Sequence, residues 1–109
     1  MGFSSAGRVY DGLRIDITDN AVDDLSLTTT VAATAVLSAG LYDVWASADC
    51  YIASGTDLST LTTANGRPLA GGETPSTLTI TPNIQIEEGE KLGGITASGI
   101  ATLYYQKVD

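Results

Sequence analysis

The amino-acid sequence predicts an all-β protein, a single-domain β-sandwich of jelly-roll-like form with seven to eight strands. Short runs of alternating apolar and polar residues recur along the chain, and clusters of Gly, Pro, Asn and Asp separate them. No stretch has the apolar spacing of an amphipathic helix. Many short strands at close spacing are typical of sandwiches and jelly rolls. The chain has 109 residues, which is enough for one domain with its own core.

The N-terminal residues, 1–11, are predicted to form an extended arm, followed by the β-sandwich domain at residues 12–109. The arm is small, polar and aperiodic. Phe3, Val9 and Tyr10 give it apolar groups to bury against a neighbouring molecule, and a disordered tail is the alternative interpretation.

The first half of the domain contains three predicted strand regions. Leu13–Ile17 alternates cleanly and ends at a turn. Leu25–Leu37 is rich in Thr and Val and predicts one long strand. Leu41–Ser54 has weak polarity on both faces and predicts the centre of the sheet, as a strand pair or as one strand bent at Asp49.

The second half begins with the longest predicted loop, Gly55–Gly72. Thr77–Thr81 alternates and predicts a strand with Leu78 and Ile80 turned inward, and Ile84 and Ile86 predict another short strand. An acidic turn at residues 87–90 follows. The final segment, Gly89–Asp109, predicts two strands joined as a hairpin by a tight Ser98-Gly99 turn.

The composition is acidic and low in charge. Thirteen Asp and Glu face five Lys and Arg, which gives a net charge of −8, and only 17% of residues are charged. Scattered basic residues argue against binding to nucleic acid or to an anionic membrane surface. The longest apolar stretch, Val31–Leu41, is too short to span a bilayer. A surface with little charge suits burial against protein neighbours, because little charge has to be desolvated.

No catalytic or metal-binding constellation is evident in the sequence. Histidine is absent, which removes the usual Ser-His and Cys-His relays and the usual zinc sites. Cys50 lies in an apolar strand and is expected to be a buried, inert thiol. We therefore predict no enzyme activity, no cofactor and no metal ion.

Two acidic clusters and the aromatic residues are candidate binding sites, and each also has a purely structural interpretation. The carboxylates of residues 16–24 either bind calcium or form turns. Turns are favoured, because the spacing lacks the order of a calcium-binding loop. The Glu run at 87–90 fits a partner's basic side chain or a solvated turn. Five aromatic residues could form a platform that stacks on a sugar, or could pack in the core or at a subunit interface: Tyr42, Trp45, Tyr51, Tyr104 and Tyr105.

Two segments resemble small virion proteins of tailed bacteriophages. They are Val44–Ala53 (VWASADCYIA) and Gly89–Tyr104 (GEKLGGITASGIATLY). The shared pattern is a Trp-containing strand followed by Asp-Cys-Tyr-Ile, a Thr-rich loop with the step Arg67-Pro68-Leu69, and a closing Ala-Ser-Gly hairpin. The resemblance covers roughly residues 41–109 and consists of strands and turns.

The resemblance implies a non-enzymatic structural role, first of all as a capsid decoration or cement protein. Such a protein is expected to form a homotrimer on the capsid exterior, over junctions of the major capsid protein, after synthesis in the host cytoplasm. Apolar contacts and β-strand addition would stabilise the capsid lattice. The alternatives are a head-to-tail connector, a tail or baseplate component, and a carbohydrate-binding module. The expected contact residues are Phe3, Val9, Tyr10, Arg67, Pro68 and Leu69.

Overall fold

A computed structural model describes residues 21–108, which form eight strands in two antiparallel sheets. Sheet I has the strand order β1-β8-β3-β6, and sheet II has the order β2-β7-β4-β5. The predicted arm at 1–11 and the predicted strand at 13–17 lie outside the described residues. The strands are β1 (Asp23–Leu27), β2 (Ala32–Ala33), β3 (Gly40–Ala46), β4 (Cys50–Gly55), β5 (Arg67–Leu69), β6 (Thr81–Ile86), β7 (Lys91–Ile95) and β8 (Ala101–Lys107).

The strand pairing is that of a jelly roll. β1 pairs with β8, β2 with β7, β3 with β6 and β4 with β5, all antiparallel. A long hairpin folded at the β4–β5 connection has these four pairs. When that hairpin rolls up, β8 also pairs with β3 and β7 with β4, which closes the two sheets. The all-β, jelly-roll-like sandwich predicted from the sequence is therefore confirmed.

The predicted closing hairpin is wrong. β7 and β8 are joined by a tight turn at Gly99, where φ is 71°, but they lie in different sheets and do not pair with each other. β8 is flanked by β1 and β3, so both of its edges are already occupied. Two strands with a tight turn between them can form a hairpin or pass from one sheet to the other, and the local sequence does not distinguish these outcomes.

The same alternation between sheets corrects two predictions made for the first half of the chain. The long strand predicted at Leu25–Leu37 is two strands, because the chain turns at Thr28, whose Oγ1 accepts a hydrogen bond of 3.1 Å from the amide of Thr30. The chain then enters sheet II. The region Leu41–Ser54 does contain two strands with a bend before Cys50, as one of the two interpretations predicted, but β3 and β4 lie in different sheets.

Two predictions between β4 and β6 are also corrected. The predicted loop Gly55–Gly72 contains the short strand β5, in which Pro68 pairs with Tyr51 at the edge of sheet II. Proline is tolerated there because an edge strand has one unpaired side. The strand predicted at Thr77–Thr81 is wrong: only Thr81 lies in a strand, and Ile80 is 51% exposed rather than turned inward.

The core lies between the two sheets. Each sheet contributes its inward-facing side chains, among them Ile86, which is 1% exposed. The short strand predicted at Ile84 and Ile86 is confirmed as part of β6. The predicted acidic turn is also present: the amide of Glu87 donates to the carboxylate of Glu90 at 2.8 Å, and Gly89 has φ of 86°. The largest fully buried side chains are Leu27, Val44, Cys50, Ile86, Leu92 and Leu103.

Candidate functional site: an aromatic groove on sheet I

The outer face of sheet I carries a stacked pair of aromatic rings. Trp45 of β3 and Tyr104 of β8 are direct cross-strand partners. Their neighbours Val44 and Leu103 are fully buried, so the strand alternation places the two rings on the outside of the sandwich. The ring centroids are 5.9 Å apart with an interplanar angle of 17°, and both residues are half-buried. These rings form the floor of a groove.

The loop from β5 to β6 forms one wall of this groove. The amide of Gly72 donates to the carbonyl of Ala46 at 3.0 Å, and the amide of Gly71 donates to Oδ1 of Asp49 at 2.9 Å. A Cβ atom on Gly71 would overlap the backbone of Ala48. Glycine therefore allows the loop to lie directly against the end of β3, where the chain bends toward β4.

A threonine turn completes this wall. The amides of Thr77 and Leu78 both donate to the carbonyl of Thr74, at 2.9 and 3.0 Å. The hydroxyl of Thr77 also accepts a hydrogen bond from the amide of Thr74. The turn places Leu78 in the groove, and Glu73 stands beside it at the rim.

The opposite wall comes from the connection between β7 and β8. The hydroxyl of Thr96 donates to the carbonyl of Gly99 at 2.8 Å, which closes this turn. Ile100 follows directly, is 79% exposed and lines the groove. Ser47 and Ala48 line the end of the groove, whose volume is about 550 Å³. We call the space bounded by these residues and the ring pair the aromatic groove; its size is within the usual range for binding pockets.

The charges around the aromatic groove are acidic. Glu73 lies at its rim, and Asp24 of β1 is the cross-strand partner of Tyr104 on the other side. Asp43 lies two residues before Trp45 on the same face of β3 and accepts a hydrogen bond from the amide of Asn83 at 3.1 Å. We call Asp24, Asp43 and Glu73 the acidic rim.

Basic side chains are positioned away from this face. The described residues include three, of which Arg67 and Lys91 lie on sheet II. Lys107 lies opposite Tyr42, whose side chain is buried, so the alternation of β8 turns Lys107 away from the outer face. In residues 21–108, the outer face of sheet I therefore combines aromatic and acidic groups without a lysine or arginine.

The contact residues predicted from the sequence lie elsewhere. Phe3, Val9 and Tyr10 are outside the described residues. Arg67 and Pro68 are exposed on β5, the edge strand of sheet II, whereas the aromatic groove lies on sheet I. The side chain of Leu69 is 3% exposed and belongs to the core. The structure does not bring this group together with Trp45, and its role in contacts stays a prediction.

The acidic cluster at residues 16–24 is only partly described. Asp23 and Asp24 are consecutive in β1, so their side chains point to opposite faces and do not converge. Within residues 21–108 no group of three or more Asp, Glu or Cys side chains is placed to hold a metal ion. That part of the chain also contains no helix long and apolar enough to cross a membrane.

Cys50 is buried as predicted, with 1% exposure, and burial raises the pKa of its thiol from 9.0 to about 11, with a smaller contribution from the Asp49 carboxylate. A thiol with this pKa stays protonated at neutral pH, and the thiolate is the nucleophilic form. Cys50 therefore does not supply a nucleophile in the native fold.

This raised pKa predicts a loss of stability at alkaline pH. The folded state holds the proton more tightly than the unfolded state, so the contribution of Cys50 is complete below pH 9 and is lost as the pH rises toward 11. Tyr105, whose pKa is also raised by burial and by Asp23 and Asp24, adds to the loss at higher pH. Urea unfolding at about pH 9 and about pH 11 should show this decrease in the free energy of unfolding. The decrease between the two pH values should be smaller in Cys50→Ala. An equal decrease in both proteins would contradict this assignment.

The sequence indicated the floor of the aromatic groove but not its walls. The sequence identifies Trp45 and Tyr104 as candidate stacking residues. Glu73 and Ile100 belong to turns and carry no periodic signal, and the alternation around Leu78 predicts an inward strand position instead of a groove wall. One local signal for a wall residue is Ile100, which directly follows the Ser98-Gly99 turn. A large apolar residue at the tip of a turn is rarely buried, so it is available for contact.

Comparisons with protein-family models, with curated proteins and with solved structures found no match. The geometry of the aromatic groove and the composition of the chain are therefore the basis for a proposed function.

Proposed function

We propose that this chain is a non-enzymatic structural protein of a bacteriophage virion, a capsid decoration protein that binds the major capsid protein and stabilises its lattice. The observation that carries the proposal is the aromatic groove, an outward-facing surface with a stacked aromatic pair on a small jelly roll. Aromatic side chains are enriched at protein interfaces because they bury a large area. The jelly roll itself recurs in viral capsid proteins, although fold alone does not define function.

The remaining chemistry of the chain supports binding rather than catalysis. The sequence has no histidine, and the lone thiol is buried and protonated. Only 17% of residues are charged, so a large surface can be buried at a modest desolvation cost. The net charge of −8 gives no electrostatic attraction to DNA or to anionic membranes.

Copy number in the virion tests this function. A decoration protein on the capsid exterior, acting as a homotrimer over capsid junctions, is expected in hundreds of copies per particle. A head-to-tail connector, tail or baseplate protein would be present in about a dozen copies or in similarly small multiples. Gel densitometry against the major capsid protein in purified virions measures the ratio, and a small ratio would reassign the protein to the tail or connector. Absence from virions would reject the proposal.

The N-terminal arm provides a separate prediction. Deleting residues 2–10 removes Phe3, Val9 and Tyr10, and we expect weaker binding to capsids with an unchanged fold, because residues 23–107 supply both four-stranded sheets. Occupancy on capsids and the thermal unfolding temperature of the purified protein are the two measurements. Unchanged occupancy after the deletion would remove the arm from the contact surface.

A carbohydrate-binding module is the second candidate, and the half-exposed Trp45–Tyr104 pair favours it. Sugar-binding surfaces commonly present aromatic ring faces side by side. Here the two rings stack on each other at an interplanar angle of 17°, which turns part of each ring face toward its neighbour. The aromatic pair therefore provides less flat surface to a saccharide than two coplanar rings would.

A further inference from the structure

We propose that the aromatic groove binds an arginine-bearing segment of its protein partner, with a guanidinium group against the aromatic pair and its charge paired to the acidic rim. The proposal rests on the proposed function in taking that partner to be the major capsid protein. It adds the chemistry of the contact, which neither the fold nor the composition specifies.

The aromatic pair suits a guanidinium group. Trp45 is the most favourable aromatic side chain for a cation, and its half-exposed ring keeps the surface that does not face Tyr104 open to a partner. A guanidinium group is planar and weakly hydrated, so it stacks on such rings more readily than a lysine ammonium group does. Leu78 and Ile100 on the two walls provide apolar contact for the methylene groups of the same side chain.

The charge distribution also suits a guanidinium group. Glu73 lines the groove, Asp24 is the cross-strand partner of Tyr104, and Asp43 lies two residues before Trp45 on the same face of β3. The lysine and arginine residues of the described chain lie on sheet II or are turned away from this face. An acidic partner would be repelled, and a neutral one would leave these charges without compensation. Charge complementarity therefore selects a cationic occupant.

The same charges argue against a second copy of this chain as the occupant. A copy docked through its own groove would bring two acidic rims together, and each molecule has a net charge of −8. Like charges placed together at an interface oppose association. The contacts of a homotrimer would therefore use other surfaces.

Tryptophan fluorescence gives a direct test, because Trp45 is the only tryptophan in the chain. The probe is a short capped peptide of glycine and two arginines, and its control carries neutral citrulline in place of arginine. We expect a saturable change in emission with the arginine peptide, weakened by added salt, and none with the citrulline peptide. The lysine version should bind less tightly than the arginine version.

Two pairs of variants locate the contact. Glu73→Gln should raise the Kd for the arginine peptide by about two- to fivefold, which is the usual effect of one exposed ion pair. Glu88→Gln is the matched control, because it removes the same charge from the turn between β6 and β7, near the opposite end of β3. Tyr104→Ala should raise the Kd by a similar factor through loss of the ring, whereas Val36→Ala, on an exposed loop, should leave it unchanged.

Three results would overturn the proposal. Equal binding of the citrulline peptide would remove the charge from recognition. Saturable binding of a neutral oligosaccharide, with no response to the arginine peptide, would assign the groove to carbohydrate. An emission change that depends only on protein concentration, and that Ile100→Ser abolishes, would assign it to self-association. If virions carry the protein in high copy number and the arginine peptide still fails to bind, this inference fails while the proposed function stands.

Discussion

Replacing Leu103 by alanine is expected to lower the free energy of unfolding by about 3–4 kcal/mol. Leu103 is fully buried in β8, with Leu25 of β1 and Ala46 of β3 as its cross-strand partners. The smaller side chain leaves a cavity between the sheets that neighbouring strands cannot fill, because both edges of β8 are held by other strands. This loss is a large fraction of the ~5–15 kcal/mol typical of a domain. Urea unfolding followed by Trp45 fluorescence measures it.

The matched control is Ile100→Ala, a similar reduction in size at the residue directly before β8. Ile100 is 79% exposed, so its replacement should change the free energy of unfolding by less than about 0.5 kcal/mol. Two variants with the same loss of stability would mean that Leu103 does not occupy the closed interior described here.

Replacing Gly71 by alanine is the second change with a large expected effect, a loss of about 1–3 kcal/mol from steric crowding. A Cβ atom at this position overlaps the backbone of Ala48, so the loop must move away from the end of β3. The movement breaks the hydrogen bonds from Gly71 to Asp49 and from Gly72 to Ala46. Because this loop is a wall of the aromatic groove, the emission of Trp45 should change as well.

Gly55→Ala is the control for Gly71→Ala. A Cβ atom on Gly55 of β4 would lie 3.4 Å from Cδ2 of Leu58, close to ordinary van der Waals contact. We expect little change in stability or in Trp45 emission, since alanine in a strand costs less backbone entropy than glycine. If Gly71→Ala behaved like Gly55→Ala, the loop would not be held against β3 as the structure has it.

The fold class could be predicted from the sequence because alternation and turn residues are local properties. The short strand at Ile84 and Ile86, the acidic turn at residues 87–90 and the burial of Cys50 follow from the same local rules. The pairing of strands does not follow from local rules. β7 and β8 are joined by four turn residues and a single isoleucine, and this segment suits a hairpin as well as a crossing between sheets. The outcome depends on β1 and β3, which are distant in the sequence and occupy both edges of β8.

Short edge strands and loop walls are the other part that the sequence does not specify. Arg67–Leu69 has a proline at its centre, which normally argues against a strand, and becomes one only because β4 offers an open edge. The threonines of Thr77–Thr81 alternate as in a strand, but the hydroxyl of Thr77 is used in the turn at Thr74. The aromatic groove depends on this turn and on the close approach of Gly71, so its shape could not be derived from periodicity.

The proposed contact between the aromatic groove and the capsid can be measured on particles produced without the protein. Purified variants are added to these particles, and the occupancy of each variant is determined. We expect Trp45→Ala and Ile100→Ser each to reduce occupancy strongly at a concentration where the wild type saturates the particle. Val36→Ser, a change at an exposed residue away from the groove, should leave occupancy unchanged. Circular dichroism of each variant verifies that the sandwich is intact. Full occupancy by folded Trp45→Ala would contradict the proposed contact.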